Sequence, residues 1–222
     1  MKKYNLKMVS YLDLPDMPEQ YVRELLEWHD RIKIPFDIYD FWYFSRIKRP
    51  LPWLWNKEFM ETMPHIYEFI TQTLGPYINI ERIALLETVK AVPDHTDSSA
   101  YEFNTTMEHE PVSVRIMLRN SDKDNFWLCP YTEEYWGKPA ITYEGDGPND
   151  FPKSIWKPRL GAWWALNNWV CYHGSNYHDG DMKTIMTIHG GPTDKYLELL
   201  QRSENMDGIY HPYVDKYFPQ NG

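Results

Sequence analysis

The sequence has few of the features that mark several large protein classes. It contains only two cysteines, Cys129 and Cys171, in 222 residues, which excludes a disulfide framework and a CxxC zinc site. No stretch approaches the ~20 apolar residues of a membrane-spanning helix. Residues 1–20 carry no apolar run and no small-residue cleavage site, so they do not resemble a signal peptide. We therefore expect a chain without a membrane segment, in the reducing environment of the cytoplasm.

Basic charge is scarce as well. Lysine and arginine total 23 against 32 aspartates and glutamates, which gives a net charge of −9, and no basic stripe is visible. This balance disfavours an extended nucleic-acid surface, because such a surface needs clustered lysine and arginine. A small molecule or a peptide is the expected substrate, while the composition favours no particular oligomeric state.

Two further absences bear on the fold. The chain has no Gly-rich phosphate loop and no alternation of strands and helices, which argues against a doubly wound α/β sheet. What it has in abundance is aromatic residues, 16% of the total, including 10 Trp and 17 Tyr. Such residues bury much surface, so we expect a folded domain and not a disordered chain.

The spacing of apolar residues predicts helices at both ends and strands between them. Helices are expected at residues 18–32, 56–74 and 193–205. The last helix would have Thr193 as its cap and Tyr196, Leu197 and Leu200 on one face. Strands are expected at residues 78–92, 112–118, 125–131, 140–145, 161–174 and 182–190. This order predicts a mainly β fold with flanking helices, built from about six to eight short antiparallel strands.

The segment around His95 is the clearest candidate for chemistry. Residues i and i+2 of an extended chain point to the same side, so His95 and Asp97 would direct an imidazole and a carboxylate at one point. They would supply two of the three ligands of a 2-His-1-carboxylate site, which holds Fe(II) and leaves coordination positions open. The alternative is a solvated polar turn, because Asp94 and Ser98 flank the pair.

A third ligand would have to come from another strand. The downstream histidines are His109, His173, His178, His189 and His211. His173 follows an apolar run that begins at Trp164, so a strand could carry it into the interior. His189, at the end of the next predicted strand, is the main rival, and the others lie in segments of loop composition.

Lys183 lies ten residues after His173, at the start of a predicted strand. An interior lysine needs an anion, because an isolated buried charge costs several kcal/mol. A dicarboxylate co-substrate would supply that anion. The alternative is a surface position, which is the commoner location of a lysine.

Together, His95-Thr96-Asp97, His173 and Lys183 resemble the motif of the iron- and 2-oxoglutarate-dependent oxygenases. The resemblance implies that His95, Asp97 and His173 hold Fe(II). It implies that Lys183 binds the far carboxylate of 2-oxoglutarate. It also implies a double-stranded β-helix, a cupin-like jelly roll, with helices packed on one side.

On this basis the chain, 1–222, is expected to be a single domain. It would comprise a helical support region at 1–76, a jelly-roll core at 77–191, and a C-terminal helix and tail at 192–222. The resemblance covers about residues 83–189 and does not extend into the first third of the chain.

Two segments resemble the aspartyl/asparaginyl and free-proline hydroxylase branch of this superfamily. Residues 114–120 are similar to its arginine-bearing strand, roughly Arg-x-His-x-x-x-Asn, which implies a co-substrate contact for Arg115. Met117 stands where that branch has histidine, and the gap from His95 to Arg115 is longer than the pattern expects. Residues 161–168 are similar to the Gly-x-x-Trp-x-Phe-Asn run that precedes the distal histidine.

The resemblance implies a dioxygenase that uses Fe(II), 2-oxoglutarate and O2, with ascorbate as a candidate reductant. It would hydroxylate an unactivated C–H bond and release succinate and CO2. Asp97 favours hydroxylation, since related halogenases have a small residue there. The expected substrate is an amino-acid side chain of the proline, aspartate or asparagine type, free or in a peptide; a nucleobase or another small metabolite stays open.

Two other functional classes stay open on the same residues. In a non-catalytic cupin-type binding protein, the aromatic residues would line a small-molecule site, and His95, Asp97 and His173 would not converge. A zinc hydrolase would use the same three ligands with a bound water, and it would need a general base nearby.

Overall fold

The structure is a computed structural model that describes the larger part of the chain. The described residues are 7–32, 40–43, 60–88, 92–95, 112–120, 126–130, 154–167, 171–175 and 183–210. Within these ranges, no helix has the length and apolar composition that crossing a bilayer requires.

Helices and strands alternate irregularly along the described residues. The helices are α1 (Glu19–Ile32), α2 (Pro64–Leu74) and α3 (Tyr196–Arg202). The first six strands are β1 (Lys7–Tyr11), β2 (Asp40–Tyr43), β3 (Ile78–Thr88), β4 (Val92–His95), β5 (Val112–Arg119) and β6 (Phe126–Pro130). The others are β7 (Ser154–Trp156), β8 (Trp163–Leu166), β9 (Cys171–Ser175), β10 (Lys183–Pro192) and β11 (Gly208–Tyr210).

The strands form two sheets. The large sheet has seven strands in the order β11-β1-β8-β5-β10-β3-β2, and the small sheet has four in the order β4-β9-β6-β7. The strand pairings are antiparallel, and most neighbours in space are distant in sequence. Two antiparallel sheets joined by such crossing connections form a jelly-roll architecture, which confirms the predicted mainly β class with flanking helices.

The two central strands of the large sheet are buried on both faces. Residues 113–118 of β5 are all buried, and so are residues 183–188 of β10. A strand covered on both faces favours apolar and β-branched residues at nearly every position. The sequences VSVRIML and TIMTI supply them.

One face of the large sheet packs against the helices. This helix-side core contains Val114 and Ile116 of β5 and Met186 and Ile188 of β10. The helices contribute buried residues to it, among them Leu25, Ile66, Ile70 and Leu199.

The opposite face of the large sheet packs against the small sheet. This inter-sheet core contains Met117 of β5, Ile185 of β10, Trp164 of β8 and Leu128 of β6. Because alternate residues of a strand point to opposite faces, residues 113, 115 and 117 of β5 face the small sheet. Residues 183, 185 and 187 of β10 do the same.

The single strand predicted over 161–174 is wrong. The segment is divided into β8 in the large sheet and β9 in the small sheet. Asn167, which is a poor strand former, follows β8, and its amide donates to the carbonyl of Met8. Before β8, Gly161 has a φ of +74°, and a β-carbon there would lie 2.9 Å from the carbonyl oxygen of Met17. Glycine is required because other L-residues rarely adopt that conformation.

The helix predicted over 56–74 is interrupted. Residues 60–62 are helical, Met63 leaves the helical conformation with φ −137° and ψ 65°, and α2 begins at Pro64. Proline disfavours a helical residue before it and lacks the amide hydrogen that a continuing helix needs, so it begins a helix instead. Residues 56–59 lie outside the described ranges.

The C-terminal helix also differs from its prediction. Thr193 does not cap α3, because the helix begins only at Tyr196 and its N-cap residue is Lys195. The Thr193 hydroxyl donates to the carbonyl oxygen of Pro76 at 2.8 Å and accepts from the amide of Lys195 at 3.3 Å. The later start changes the buried face. Leu197 is 41% exposed, and Leu199 is buried in its place.

Five short strands, β1, β2, β4, β7 and β11, were not predicted. β1 pairs with both β8 and β11 and so brings residues from both ends of the chain into the large sheet. β7 is an edge strand of the small sheet. With three to five residues each, these strands are too short for a clear alternation pattern. The strand predicted at 140–145 lies outside the described ranges.

Candidate metal and co-substrate site

His95 and His173 occupy directly paired positions on neighbouring strands. β4 and β9 run antiparallel in the small sheet, and the Cα of His95 is the register partner of the Cα of His173. Directly opposite positions of an antiparallel pair belong to the same face, with Cβ atoms about 4.5–5.5 Å apart. Two histidine positions that the motif links are therefore adjacent in the fold, although they are far apart in sequence.

His173 lies in the interior, between the two sheets. It is 2% exposed, and its partner on the other side is Leu128 of β6. Leu128 belongs to the inter-sheet core, together with Met117 and Ile185 of the large sheet. Since opposite residues share a face, His173 faces the centre of the large sheet.

Lys183 is an interior residue. It is 2% exposed, begins β10, and pairs with Thr88 of β3. Strand alternation places it on the same face as Ile185, which packs in the inter-sheet core. A surface location is therefore excluded, and the ammonium group lies where burial of a charge needs compensation.

Arg115 is a second buried cation on the same face of the large sheet. It is 5% exposed and lies between Thr187 of β10 and Trp164 of β8. Its Nε donates to Oγ of Ser113 at 3.3 Å, and its guanidinium carbon lies 5.6 Å from the centre of the Trp164 ring. This contact has the geometry of a cation–π interaction, which is stronger when the cation is removed from water.

The two cations are separated along β10. Arg115 is opposite Thr187, four positions after Lys183, so a rise of ~3.3 Å per residue puts the two positions about 13 Å apart. Between them on the same face lies the register pair Ile185–Met117, which shares a core with Leu128. The interior beneath His173 thus has an apolar centre with a positive group on either side.

Two buried hydroxyls near Arg115 were not predicted from the sequence. Ser113 is 3% exposed and Thr187 is 6% exposed, and both share its face. A period of two could have revealed them. In VSVRI, residues 113 and 115 are polar while residues 112, 114 and 116 are apolar. In β10 the pattern is weaker: residues 187 and 189 are polar and 186 and 188 are apolar, but Thr184 and Ile185 break the alternation.

The other candidate ligands are less well placed or are not described. His189 lies far along β10 from Lys183, where its register partners are Ser113 and Arg82 of the large sheet. Asp97, and the histidines at 109, 178 and 211, lie outside the described ranges. Within those ranges, no three His, Cys, Asp or Glu side chains form a group that could hold a metal. The ligand role of Asp97 therefore stays a prediction.

No family model matches the sequence, and no curated protein matches it. Solved structures do match. One is the non-heme alpha-ketoglutarate-dependent epimerase SnoN from nogalamycin biosynthesis, with a TM-score of 0.52 and 12% identity over 85% of this chain and 80% of that chain. SnoN in complex with Fe3+, alpha-ketoglutarate and nogalamycin RO has a TM-score of 0.51 and 12% identity over 85% of this chain and 81% of that one. Another is the non-heme alpha-ketoglutarate-dependent carbocyclase SnoK, with a TM-score of 0.51 and 9% identity over 86% and 84% of the two chains. At such low identity the similarity establishes the fold alone, and this chain has the jelly-roll fold of these proteins.

Proposed function

We propose that the protein is an Fe(II)- and 2-oxoglutarate-dependent dioxygenase that hydroxylates an unactivated C–H bond. In this proposal His95, Asp97 and His173 are the iron ligands. Lys183 binds the C5 carboxylate of 2-oxoglutarate, and Arg115 is the second cation that binds this co-substrate. The whole chain acts as one catalytic domain in the cytoplasm. The presence of β1 and β11 in the same sheet as the core strands supports a single domain.

The observation that carries the proposal is the pairing of His95 with His173. The sequence motif selects these two among eight histidines. Independently, the same two histidines are register partners in the pairing of β4 with β9. Two imidazole nitrogens and one carboxylate oxygen suit Fe(II) with open coordination positions, whereas thiolates would favour a closed zinc site. The jelly-roll fold shared with SnoN and SnoK is consistent with this reading.

The two buried cations support a dianionic co-substrate. Lys183 and Arg115 lie on one inward face of the large sheet, where the attraction between a cation and a carboxylate is strengthened by the low dielectric constant. Lysine offers a point charge and not the bidentate fork of arginine. The orientation of the co-substrate would therefore depend on both groups.

The residues of the chain bind, orient and exclude water. When bound, iron and 2-oxoglutarate supply the oxidative chemistry, in which O2 is consumed, a C–H bond becomes C–OH, and succinate and CO2 leave. The inter-sheet core, with Met117, Leu128 and Ile185, keeps bulk water from the centre of the sheet. Charge at residues 115 and 183 fixes the co-substrate against this apolar surface.

We propose an amino-acid side chain as the substrate, free or within a peptide, of the proline, aspartate or asparagine type. The support is the sequence resemblance of residues 114–120 and 161–168. The net charge of −9 disfavours a large nucleic-acid partner. Ascorbate is the proposed reductant.

One experiment tests the reaction class. Fe(II) and 2-oxoglutarate, added anaerobically to the purified protein, should give a visible metal-to-ligand charge-transfer band. Admission of O2 should then release succinate, even without a substrate. If a folded protein gives neither result, the proposal is refuted. A cupin-type binding protein would give no succinate, and a zinc hydrolase would show hydrolytic activity with Zn2+ alone.

A further inference from the structure

An ion pair joins α1 to the end of the large sheet that carries Lys183. Nη2 of Arg119 donates to Oδ2 of Asp30 at 2.6 Å. Asp30 lies in the last turn of α1, and Arg119 is the last residue of β5. The pair therefore connects the helices to the end of the central strand β5.

A β-bulge turns Arg119 towards the helices. Along β10, Ile185 pairs with Met117 but Thr184 pairs with Arg119, so Leu118 is an extra residue in β5. Without it, alternation would place Arg119 on the face of Met117, towards the small sheet. The extra residue reverses the alternation, and Arg119 shares the helix side with Thr184.

Lys183 lies directly beyond the last residue pair of this ladder. On one side it pairs with Thr88 of β3. On the other side, the pairing between β10 and β5 ends at Thr184 and Arg119. The position of the Arg119 backbone therefore influences how the first residues of β10 are held, and Asp30 anchors Arg119.

Stability alone does not explain the polar groups of Arg119 and Thr184, the last residue pair between β5 and β10. Among the residues the structure describes, Nη1 of Arg119 and Oγ1 of Thr184 are buried and have no hydrogen-bond partner. Thr184 is fully buried, with 0% exposed. An unsatisfied buried polar atom destabilises a fold, so apolar residues would serve stability better here. A positional role gives these groups a reason to be present.

We propose that Asp30 and Arg119 are positioning residues for Lys183. By fixing the end of β5, they hold the start of β10 so that the Lys183 ammonium group meets the co-substrate. The inference rests on the proposed function, in which Lys183 binds the C5 carboxylate of 2-oxoglutarate. It makes α1 a support of the site, although α1 packs on the opposite face of the sheet.

The test is Arg119→Met. The affinity of the Fe(II)-loaded protein for 2-oxoglutarate, measured anaerobically from the charge-transfer band, should fall about tenfold, equivalent to about 1.4 kcal/mol. The affinity for Fe(II) should stay at the wild-type value. Arg119→Lys, which keeps the charge, should restore most of the loss. In the protein without iron or co-substrate, amide hydrogen exchange at residues 183–185 should be faster in Arg119→Met than in wild type.

A second ion pair provides the matched control. Nε of Arg202 lies 2.8 Å from Oδ2 of Asp13, and Arg202 belongs to α3, not to the strands around Lys183. Arg202→Met should leave the 2-oxoglutarate affinity and the exchange at 183–185 unchanged.

Each outcome decides the inference. Wild-type affinity together with wild-type exchange in a folded Arg119→Met protein would overturn it. If the wild-type protein gives no band at all, the proposed function fails, and the exchange at 183–185 alone decides whether Arg119 positions β10. If Arg119→Met does not fold, the same measurements are made on Asp30→Asn. This variant keeps the guanidinium group, and its 2-oxoglutarate affinity and amide exchange then decide the inference.

Discussion

Replacing Lys183 by methionine would remove the interior ammonium group and keep an unbranched side chain of similar length. Lys183 is 2% exposed and lies on the inward face of β10. A hydrogen bond to a charged group contributes about 1.5–3 kcal/mol. The dissociation constant of 2-oxoglutarate should therefore rise by about 10- to 100-fold. The affinity for Fe(II) should hardly change, because His95 and His173 belong to the other sheet.

Ligand-induced stabilisation gives a second measure of the same loss. At a 2-oxoglutarate concentration 100 times the wild-type dissociation constant, the iron-loaded wild type gains about 2.7 kcal/mol of stability. A variant that binds 100-fold more weakly gains only about 0.4 kcal/mol at that concentration. For a chain of this size, the difference corresponds to about 5–9 °C in the midpoint of thermal unfolding. Anaerobic thermal unfolding with and without the ligand resolves a shift of that size.

Two variants act as controls for Lys183→Met. Lys195, at the start of α3, is exposed, so Lys195→Met should keep the full ligand-induced shift. Lys183→Arg should keep much of it, because it retains the charge. Wild-type affinity for 2-oxoglutarate in Lys183→Met would refute the assignment of Lys183 as the carboxylate partner.

Further variants test the iron ligand, the backbone and the ion pair. His173→Ala should abolish the anaerobic charge-transfer band while the far-ultraviolet circular dichroism stays as in wild type; a retained band would exclude His173 as a ligand. Gly161→Ala should lower the free energy of unfolding by about 1–2 kcal/mol because of its positive φ, measured by urea denaturation. Partial burial raises the pKa of Asp30, but hydrogen bonds from Arg119 and His29 outweigh it, and the net pKa lies below the usual value. A carboxyl group with a lowered pKa stabilises the fold at pH values above its unfolded pKa of ~3.9. This stabilisation is lost as the pH falls through the pKa of the folded state. The difference in unfolding free energy between wild type and Asp30→Asn should therefore be largest near neutral pH and vanish in acid, and a constant difference would contradict this.

Much of the large sheet could be predicted because its central strands leave a strong pattern. β3, β5 and β10 are long and rich in isoleucine, valine and threonine, and the burial of β5 and β10 on both faces demands such runs. The five short strands that were not predicted have no comparable pattern. Their pairing depends on partners far along the chain, as when β1 joins β8 and β11.

The candidate site could likewise be predicted only in part from the sequence. His95, Asp97, His173 and Lys183 could be selected by motif and spacing, because metal and anion sites restrict residue type at few positions. The pairing partner of His95 depends on strand register, which the sequence leaves undetermined. The role of Arg119 could not be predicted either. It depends on one extra residue in β5 and on a carboxylate of α1, and neither leaves a local pattern.

The first two residues of β10 show why the site and its support are inseparable in this fold. Lys183 faces the small sheet, where the co-substrate is proposed to bind, and Thr184 faces the helices beside Arg119. A change of register by one residue would exchange these two faces, so the strand must be held against slipping. β3 holds one side of Lys183, while on the other side the ladder ends one residue earlier at a bulge. Because of the bulge, Met117 of β5 faces the interior between the sheets while Arg119 reaches Asp30 of α1. The end of β5 therefore contacts both the inter-sheet core and the helices. An ion pair outside the interior can therefore affect a charge inside it without touching any ligand.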